Sequence, residues 1–486
     1  MNYKIMCRFL SLICLAEAVF MLPALALSVY DSQAKAVLGF AITICIAIAL
    51  YITLKLLSRN NANRLTAREG FVCTAASWIL MSLIGSVPFV ISGEIPHFVD
   101  ALFEIVSGFT TTGASILSGS ELEALSRGML YWRSFSHWVG GMGVLVFLLA
   151  LSPSGKKNEG FTMHLFRAES PGPEVGKLVP KLRQTAIYLY STYMVLSVLN
   201  FTFLMFGDMN WFEALCTMFG TAGTGGFGVR GDSLGSFSPY IQNVTTVFML
   251  LFGVNFSCYY LILLRQFRSV IKDEELRLYF GIVGVSILLI TWNIAGMYDT
   301  VGEGLRHAAF QVASIISTTG YSTVNFDLWP TFSKGILTIL MITGACAGST
   351  CGGMKCARIL LLFKGLRRNI RQMVHPNRVE VVRVNGRAVD EKVMSGVNGY
   401  LSAYVLILFL SFGVICFDGF SIGTNLSAVL ACFNNIGPGF EAVGPSMHFG
   451  NFSILSKLVL TFDMLAGRLE IFPILLFFSP GSWKKN

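Results

Sequence analysis

The chain contains the stretch Phe103-Glu-Ile-Val-Ser-Gly-Phe-Thr-Thr-Thr-Gly-Ala-Ser115, a short apolar run that ends in three threonines and a glycine. This run is too short to cross a bilayer, which takes about 20 apolar residues, and it lies between two runs that are long enough. Similar stretches recur three times, with turns at Thr221-Ala-Gly-Thr-Gly-Gly-Phe227, Ser317-Thr-Thr-Gly320 and Asn434-Asn-Ile-Gly437. Four short half-helices, each ending in a glycine turn between two spanning helices, predict four walls of one pore.

The composition indicates a polytopic membrane protein. Hydrophobic residues make up 54% of the chain and charged residues 13%, whereas soluble proteins have roughly 25% charged residues. The 11 Cys lie mostly in apolar runs without a CxxC pair, so we interpret them as small core residues rather than disulfides or metal ligands. The six His are scattered, with no HExxH and no GxSxG, so the sequence gives no reason to propose an enzyme.

The apolar runs follow a regular order. Runs near 7–29 and 37–57 predict two N-terminal spans, and the order span, half-helix, span then occurs four times. We therefore predict an all-α polytopic membrane protein: four repeated helix–pore-helix–helix units around one pore, plus an N-terminal two-helix hairpin. The predicted boundaries are 1–66 for the hairpin, 67–160, 161–272, 273–365 and 393–486 for pore units one to four, and 366–392 for a cytoplasmic basic loop or hairpin. The spans of the four units are predicted at 70–92 and 129–152, 185–206 and 241–264, 277–297 and 334–363, and 397–417 and 453–478.

The basic residues determine the predicted orientation, because cytoplasmic loops of membrane proteins are enriched in Lys and Arg. With the N-terminus inside, 28 of the 36 Lys and Arg lie in cytoplasmic segments. Those segments are 1–8, 55–68, 156–183, 265–277, 355–392 and the C-terminal tail. We expect both termini in the cytoplasm and all four glycine turns to enter from the outer face. Topology thus explains the net charge of +9, and nucleic-acid binding is not needed.

The largest cytoplasmic loop, 366–392, contains an alternating pattern around Asn385-Gly386. Asn-Gly between alternating apolar residues is a strong signal for a β-hairpin. The loop is either a solvated basic segment or a docking surface for a cytosolic partner, and the sequence leaves both open.

The direction of the half-helices suits a cation. A half-helix that runs inward from the outer face points its C-terminal end, with its partial negative charge and unpaired carbonyls, at the middle of the bilayer. Glycine allows backbone shapes that turn carbonyls toward an axis, where they replace the water shell of an ion. Small residues in membrane helices also serve close packing, but four such stretches in the same register favour a pore.

Two further features point to a gate on the cytoplasmic side. The many small residues of Gly344-Ala-Cys-Ala-Gly-Ser-Thr-Cys-Gly-Gly-Met-Lys355 should break the second span of the third unit, as a gating loop or as a kinked packing seam. Arg468 lies inside the last span, where a charge costs about 3 kcal/mol and needs partners. The carbonyls of 344–353 are one candidate, and Glu470 and Asp463 are the others. Arg468 is either a barrier to passing cations or part of a structural ion pair.

Together these motifs resemble the Trk/Ktr/HKT family of cation transporters over essentially the whole chain. The resemblance is carried by the four turns and by Gly348-Ser-Thr-Cys-Gly-Gly-Met-Lys355, Asn434-Asn-Ile-Gly-Pro438 and Gly467-Arg-Leu-Glu-Ile-Phe472. It implies K⁺ uptake across the inner membrane of a bacterium by a homodimer with one pore per subunit. It also implies a TrkA-like cytosolic ring of nucleotide-binding subunits that binds NAD and ATP or ADP, whereas this chain itself binds no cofactor and K⁺ is the transported ion.

The resemblance also implies particular site residues. The family's ion-coordinating turns correspond here to Thr111, Thr112 and Gly113; Gly223, Thr224 and Gly225; Thr318, Thr319 and Gly320; and Asn435, Ile436 and Gly437. In the second turn the extra glycines leave the register open, with Gly225 preferred and Gly223 as the alternative. The family's gate corresponds to Gly344, Gly348, Ser349, Thr350, Gly352, Gly353 and Lys355, with Arg468 helping to close it. Glycine rather than serine at position 113 favours K⁺ in the family.

Two transport mechanisms are compatible with the sequence. The first is a K⁺-selective, channel-like uptake protein gated from the cytoplasm. The second is a cation symporter, with H⁺- or Na⁺-coupled K⁺ transport or Na⁺ transport and weak K⁺ selectivity. Secondary transporters usually carry inverted repeats, whereas the four predicted units all run the same way, so the channel-like mechanism is favoured.

Overall fold

The computed structural model describes residues 3–58, 67–143, 182–377 and 380–483. Regular structure in these ranges is helical, mostly α with a few short 3₁₀ segments, apart from one two-stranded hairpin. Six described helices are long and apolar enough to cross a membrane, or seven if one bent pair counts as a span. The predicted class, an all-α polytopic membrane protein, is confirmed. In chain order the helices are α1 (Tyr3–Phe20), α2 (Leu22–Tyr30), α3 (Ala34–Leu57), α4 (Ala67–Ser92), α5 (Phe98–Phe109), α6 (Gly119–Ala124), α7 (Arg127–Gly141), α8 (Leu182–Met205), α9 (Trp211–Gly223), α10 (Pro239–Phe252), α11 (Phe256–Leu263), α12 (Phe267–Ile271), α13 (Glu274–Ile294), α14 (Val301–Ile316), α15 (Thr331–Thr343), α16 (Cys356–Val374), α17 (Glu391–Ile415), α18 (Ile422–Phe433), α19 (Ile454–Arg468) and α20 (Phe472–Phe478).

In the N-terminal hairpin, α1 and α2 form one arm and α3 forms the other. The hairpin packs against α4. Gly39 of α3 makes this packing close, because a Cβ there would lie 2.8 Å from the carbonyl oxygen of Pro88 in α4. Pro88 lies inside its helix and cannot donate a backbone hydrogen bond. The hairpin therefore packs closely on the helix that leads into the first half-helix.

The predicted half-helices are present as α5, α9, α14 and α18, with 12 to 16 residues each. At 1.5 Å per residue they are about 18–24 Å long, which is too short to span a bilayer. Side chains cap three of their N-termini, because Asn210, Thr300 and Ser421 accept hydrogen bonds from backbone N–H groups of the first turn. Their C-terminal halves are buried, so the glycine turns lie deep in the protein.

The helices that follow the half-helices are broken more often than the sequence predicts. The predicted span 241–264 is two helices, α10 and α11, bent by 88°, and the predicted span 453–478 is interrupted between α19 and α20, where Glu470 and Ile471 have φ of 58° and 66°. Left-handed backbone is strained for a β-branched residue such as Ile471, and the overall hydropathy of the two segments did not reveal where they break. The predicted span 129–152 begins with α7, and its part beyond residue 143 lies outside the described residues.

The third such segment is broken as predicted, by an irregular loop of residues 344–355 between α15 and α16. In the segment predicted to be cytoplasmic, the strands β1 (Arg383–Val384) and β2 (Arg387–Ala388) pair antiparallel. Their turn is Asn385-Gly386, with φ of 51° and 76°, as a two-residue hairpin requires.

Candidate functional site

The four half-helices end in turns of the same backbone geometry. A non-glycine residue with φ between 53° and 56° comes first, and a glycine with φ between 76° and 100° follows two positions later. The residue between them donates its N–H to the carbonyl five residues back, at 2.8 Å in every turn. The equivalent triplets are Thr111-Thr112-Gly113, Thr224-Gly225-Gly226, Thr318-Thr319-Gly320 and Asn435-Ile436-Gly437.

The second turn corrects the predicted register. Its left-handed glycine is Gly226, whereas the sequence favoured Gly225 with Gly223 as the alternative. Gly225 takes the middle position, and Gly223 is the last residue of α9. Both glycines are needed because His137 of α7 packs against them: a Cβ on Gly225 would lie 2.2 Å from its ring, and one on Gly223 2.2 Å from its carbonyl oxygen.

The turns contact one another in a closed ring, in which each glycine packs against the middle carbonyl of the next turn. A Cβ on Gly113 would lie 2.0 Å from the carbonyl oxygen of Gly225, far inside van der Waals contact, so only glycine fits. The other three contacts, measured in the same way, are 1.9 Å from Gly226 to Thr319, 2.0 Å from Gly320 to Ile436, and 2.8 Å from Gly437 back to Thr112. The backbone carbonyls of the four middle residues therefore all lie within this closed ring.

The side chains of the ring repeat in a twofold rather than a fourfold pattern. In the first turn the Thr110 and Thr112 hydroxyls are 2.8 Å apart, and in the third the Ser317 and Thr319 hydroxyls are 2.7 Å apart. The second and fourth turns have glycine and isoleucine at the middle position and cannot form such a pair. Asn435 of the fourth turn donates instead to the Thr112 hydroxyl and to the carbonyl of Met464, both at 2.9 Å. These contacts hold the turns to one another.

A buried ion pair supports the ring from behind. Glu104 of α5 and Arg133 of α7 are 2.5 Å apart, with side chains 0% and 3% exposed. Glu104 also accepts hydrogen bonds from the backbone N–H of Ile116 at 3.0 Å. Arg133 donates to the carbonyl of Gly228 at 3.1 Å, and its guanidinium lies 3.4 Å from the ring centre of Phe227. The pair thus fixes the segments that leave the first two turns, and the sequence analysis did not identify it.

We expect Glu104→Gln to lower the free energy of unfolding by about 3–5 kcal/mol, because it leaves the Arg133 charge buried without its partner. Thermal unfolding of the detergent-solubilised protein measures this. The matched control is Glu123→Gln on α6, an exposed carboxylate that accepts one hydrogen bond from Gly231 N–H, where the loss should stay below about 1 kcal/mol. Equal losses in the two variants would contradict a supporting role for the buried pair.

Glu441 follows the fourth turn, and hydrogen bonds stabilise its ionised form. Hydrogen bonds from the Ser421 and Thr424 hydroxyls lower the pKa of Glu441 below its ordinary value, because they stabilise the charged form. Its backbone N–H donates to Asp327 at 3.1 Å. Asp327 is in turn paired with Lys334 at 3.4 Å, so Glu441 belongs to a small charged cluster beyond the fourth turn.

The loop of residues 344–355 lies directly against the ring. The N–H of Gly352 donates to the Thr318 hydroxyl at 2.7 Å, and a Cβ on Gly352 would lie 2.4 Å from the carbonyl oxygen of Asn434. Gly344, Gly348, Gly353 and Lys355 all have positive φ. Within the loop, Ser349 donates to Cys346 O at 2.6 Å and the buried Lys355 donates to Cys351 O. Thr350 donates to Phe252 O, at the end of α10, at 3.4 Å.

Arg468 joins this loop to the end of α7. Its guanidinium donates to the carbonyl of Thr350 at 2.7 Å and to the carbonyls of Gly140 and Gly141 at 2.6 Å. Loop carbonyls were one of the predicted partners. Of the other two candidates, Glu470 forms an ion pair with Arg358, and Asp463 accepts a hydrogen bond from Ser411 at 2.7 Å.

The fold and the ring define a class of protein. Carbonyls at the C-terminal ends of four half-helices form an environment that favours a cation, with a basic side chain and an irregular loop beside it. This is the arrangement of a membrane cation transport protein.

Comparisons with known proteins agree with this class. The chain matches the TrkH family, described as cation transport protein, over residues 36–485. It is 34% identical to the Trk system potassium uptake protein TrkH of Escherichia coli K12, over 100% of both chains, and 33% identical to TrkG of the same strain, over 99% of this chain and 98% of TrkG. The crystal structure of the potassium transporter TrkH from Vibrio parahaemolyticus superposes with a TM-score of 0.88 at 30% identity over 100% of both chains. The chain therefore belongs to the TrkH family of cation transport proteins.

Proposed function

We propose that this protein takes up K⁺ across the bacterial inner membrane through a carbonyl-lined, gated, channel-like pore. The observation that carries the proposal is the closed ring in which each turn's glycine packs on the next turn's carbonyl. The relatives described above, named as potassium uptake proteins, supply the identity of the ion. The ion-binding residues are the four equivalent triplets, with Gly226 in place of Gly223.

In this proposal the protein binds and orients but does no covalent chemistry. Four carbonyls replace part of the ion's water shell, and the helix ends behind them add negative potential. The membrane potential drives inward movement, which is worth about 2.3 kcal/mol per charge at 100 mV. Weak, repeated contacts allow the ion to leave as well as enter.

The proposed gate is the loop 344–355 together with Arg468. The loop contacts the third and fourth turns through Gly352, which supports a gate next to the ring on its inner side. Arg468 holds its Thr350 carbonyl and adds a positive charge at that level. Opening requires the loop to leave these contacts.

The proposal includes the predicted organisation. The four pore units surround the ring, both termini lie in the cytoplasm, and the protein forms a homodimer. A TrkA-like cytosolic partner that binds NAD and ATP or ADP regulates it, and the basic segment 366–392 lies on the side where that partner would bind. Membrane lipid surrounds the exposed apolar faces of α3, α8 and α17.

A cation symporter is the second candidate, and Glu17 is the observation that favours it. This side chain is 1% exposed inside α1, and neither carboxylate oxygen has a hydrogen-bond partner among the described residues. Its Oε1 lies near Gly85, which also borders Ile105 and Phe109 of α5. An isolated carboxyl in this position can carry a proton, so H⁺ coupling would use it.

Uptake of radiolabelled Rb⁺ into proteoliposomes tests these functions. We expect K⁺ to block the uptake and Na⁺ to block it much less, with no accompanying H⁺ movement reported by an internal pH dye. Equal block by K⁺ and Na⁺ would contradict K⁺ selectivity. Proton entry that is stoichiometric with Rb⁺ and abolished in Glu17→Gln would establish the symporter instead. If the resting gate is closed, the Arg468→Ala protein supplies the open pathway for the same comparison.

A further inference from the structure

Three consecutive acidic residues begin α13, and they bind two different parts of the molecule. Asp273 caps the helix, because its Oδ1 accepts a hydrogen bond from Leu276 N–H at 2.9 Å. Glu274 contacts the cytoplasmic hairpin. Glu275 reaches the other way, to the loop beneath the ring. One helix end thus touches both the cytoplasmic surface and the proposed gate.

The cytoplasmic contact is made by Asn385 at the tip of the hairpin. Its side chain donates to Asp273 Oδ2 at 2.7 Å and accepts from Glu274 N–H at 2.9 Å, and its own N–H donates to Glu274 Oε1 at 3.3 Å. Lys364 of α16 donates both to the Glu274 carboxylate and to the carbonyl of Arg383. The hairpin is therefore docked on the start of α13 by side chains and backbone together.

The inward contact is made by Glu275, which is 9% exposed. A single oxygen, Oε1, accepts from Ala347 N–H at 2.6 Å and from Ala357 N–H at 3.1 Å. Ala347 lies within the loop 344–355, and Ala357 lies in the first turn of α16 just beyond it. The residue before α16, Lys355, provides no side-chain cap, so Glu275 supplies from another helix the acceptor that this N-terminus lacks.

We propose that Glu275 is a positioning residue that holds the gate loop in its closed place, and that the hairpin reaches the gate through it. The inference rests on the proposed function only in taking loop 344–355 as the gate. Asn385 binds Asp273 and Glu274, and Glu275 is the next residue along the same helix. A displacement of the hairpin therefore moves the helix end that holds both sides of the loop, without any intervening flexible segment.

The test compares two substitutions of Glu275 in the full-length protein. Glutamine keeps an oxygen that can accept both hydrogen bonds, because both bonds fall on one atom, whereas alanine removes it. We expect Glu275→Ala to raise both the resting Rb⁺ uptake and the amide hydrogen exchange of peptides covering 344–357 by about tenfold, which corresponds to about 1.4 kcal/mol. Glu275→Gln should stay within about twofold of the unchanged protein in both measurements.

A double-mutant cycle tests the connection to the hairpin. We expect Asn385→Ala to raise loop exchange about threefold in the unchanged protein and not at all in the Glu275→Ala protein. Asn377→Ala, at another exposed cytoplasmic asparagine, is the matched control and should change nothing. Equal effects of Asn385→Ala in both backgrounds would overturn the connection.

The outcomes separate this inference from the proposed function. Unchanged loop exchange in a folded Glu275→Ala protein overturns the positioning role, whatever the ion flux. Faster loop exchange with unchanged uptake, in a protein that transports Rb⁺, overturns the assignment of the loop as the gate. If no variant transports Rb⁺ at all, the proposed function fails, and the exchange of 344–357 still decides whether Glu275 holds the loop.

Discussion

Replacing Gly113 by serine should reduce the preference of uptake for K⁺ over Na⁺ by about tenfold or more, equivalent to about 1.4 kcal/mol. The new Cβ would lie 2.0 Å from the carbonyl oxygen of Gly225 at a backbone φ of +81°. The turn must shift, and the Gly225 carbonyl with it, so two of the four carbonyls lose their positions around the ion. Competition of K⁺ and Na⁺ with Rb⁺ uptake measures the ratio.

The geometry of the ring predicts how much selectivity is lost when each of the other glycines is substituted. Alanine at Gly226 and Gly320 meets a carbonyl at 1.9 and 2.0 Å, so these variants should lose as much selectivity as a change at Gly113. Alanine at Gly437 meets its carbonyl at 2.8 Å and should have a smaller effect. Gly284→Ala is the matched control, because no atom lies within 4 Å of a Cβ there. An unchanged ratio in Gly113→Ser and Gly226→Ala would contradict the filter assignment.

The sequence predicted the half-helices and their turns because both depend on local signals. An apolar run shorter than a bilayer that ends in glycine is visible without any long-range contact. Serine and threonine beside the glycine identified the same residues in the first and third turns that the structure places in the ring. The fourth turn, with asparagine and isoleucine, was found from its position between two spans.

The register of the second turn was predicted wrongly because the stretch from its phenylalanine to its glycine is longer than in the first and third stretches. The number of residues from phenylalanine to glycine is ten in the first and third stretches and fourteen from Phe212 to Gly226, a difference of about one helical turn. Thr221-Ala222-Gly223 and Thr224-Gly225-Gly226 both match the threonine, any residue, glycine pattern of the first and third turns. The structure distinguishes them because the helix continues to Gly223, whereas Thr224 and Gly226 have the positive φ of the other turns.

The supporting residues could not be predicted because their partners are distant in sequence. Glu104 and Arg133 were visible as charges near apolar segments, but nothing local pairs them. Glu275 lies at a helix start, where acidic residues are ordinary, and its acceptor role depends on a loop 72 residues away. The breaks in the helices after the second and fourth turns were missed because the spans were predicted from overall hydropathy, although Gly253 and Asn255 interrupt one apolar run and Arg468 and Glu470 the other.

In the proposed pore, the contacts of the ring with the loop would connect selectivity with gating. The Thr318 hydroxyl belongs to the third turn and also accepts the N–H of Gly352. Asn435 belongs to the fourth turn and holds the carbonyl of Met464 on α19, four residues before Arg468. A movement of the loop or of α19 therefore displaces residues that orient the carbonyls. We expect a substitution of Arg468 to change the selectivity of uptake as well as its rate.

Arg468→Ala should raise the resting Rb⁺ uptake by about tenfold. Alanine removes the bridge from the Thr350 carbonyl to the carbonyls of Gly140 and Gly141, and hydrogen bonds to a charged group contribute about 1.5–3 kcal/mol each. A net shift of only about 1.4 kcal/mol toward a released loop is enough for a tenfold change in its population. The positive charge that repels a cation is lost at the same time. Uptake without any cytosolic partner measures the effect.

Arg468→Lys separates the two contributions of this side chain. Lysine keeps the positive charge but lacks the planar fork that reaches carbonyls on two segments. Low uptake in the lysine variant would assign closure to charge, whereas uptake between the unchanged protein and the alanine variant would assign it to the bridge. Thermal unfolding of the same samples provides the control for stability. If uptake of Arg468→Ala stays at the resting level while the unfolding temperature falls, Arg468 serves the structure and is not part of the gate.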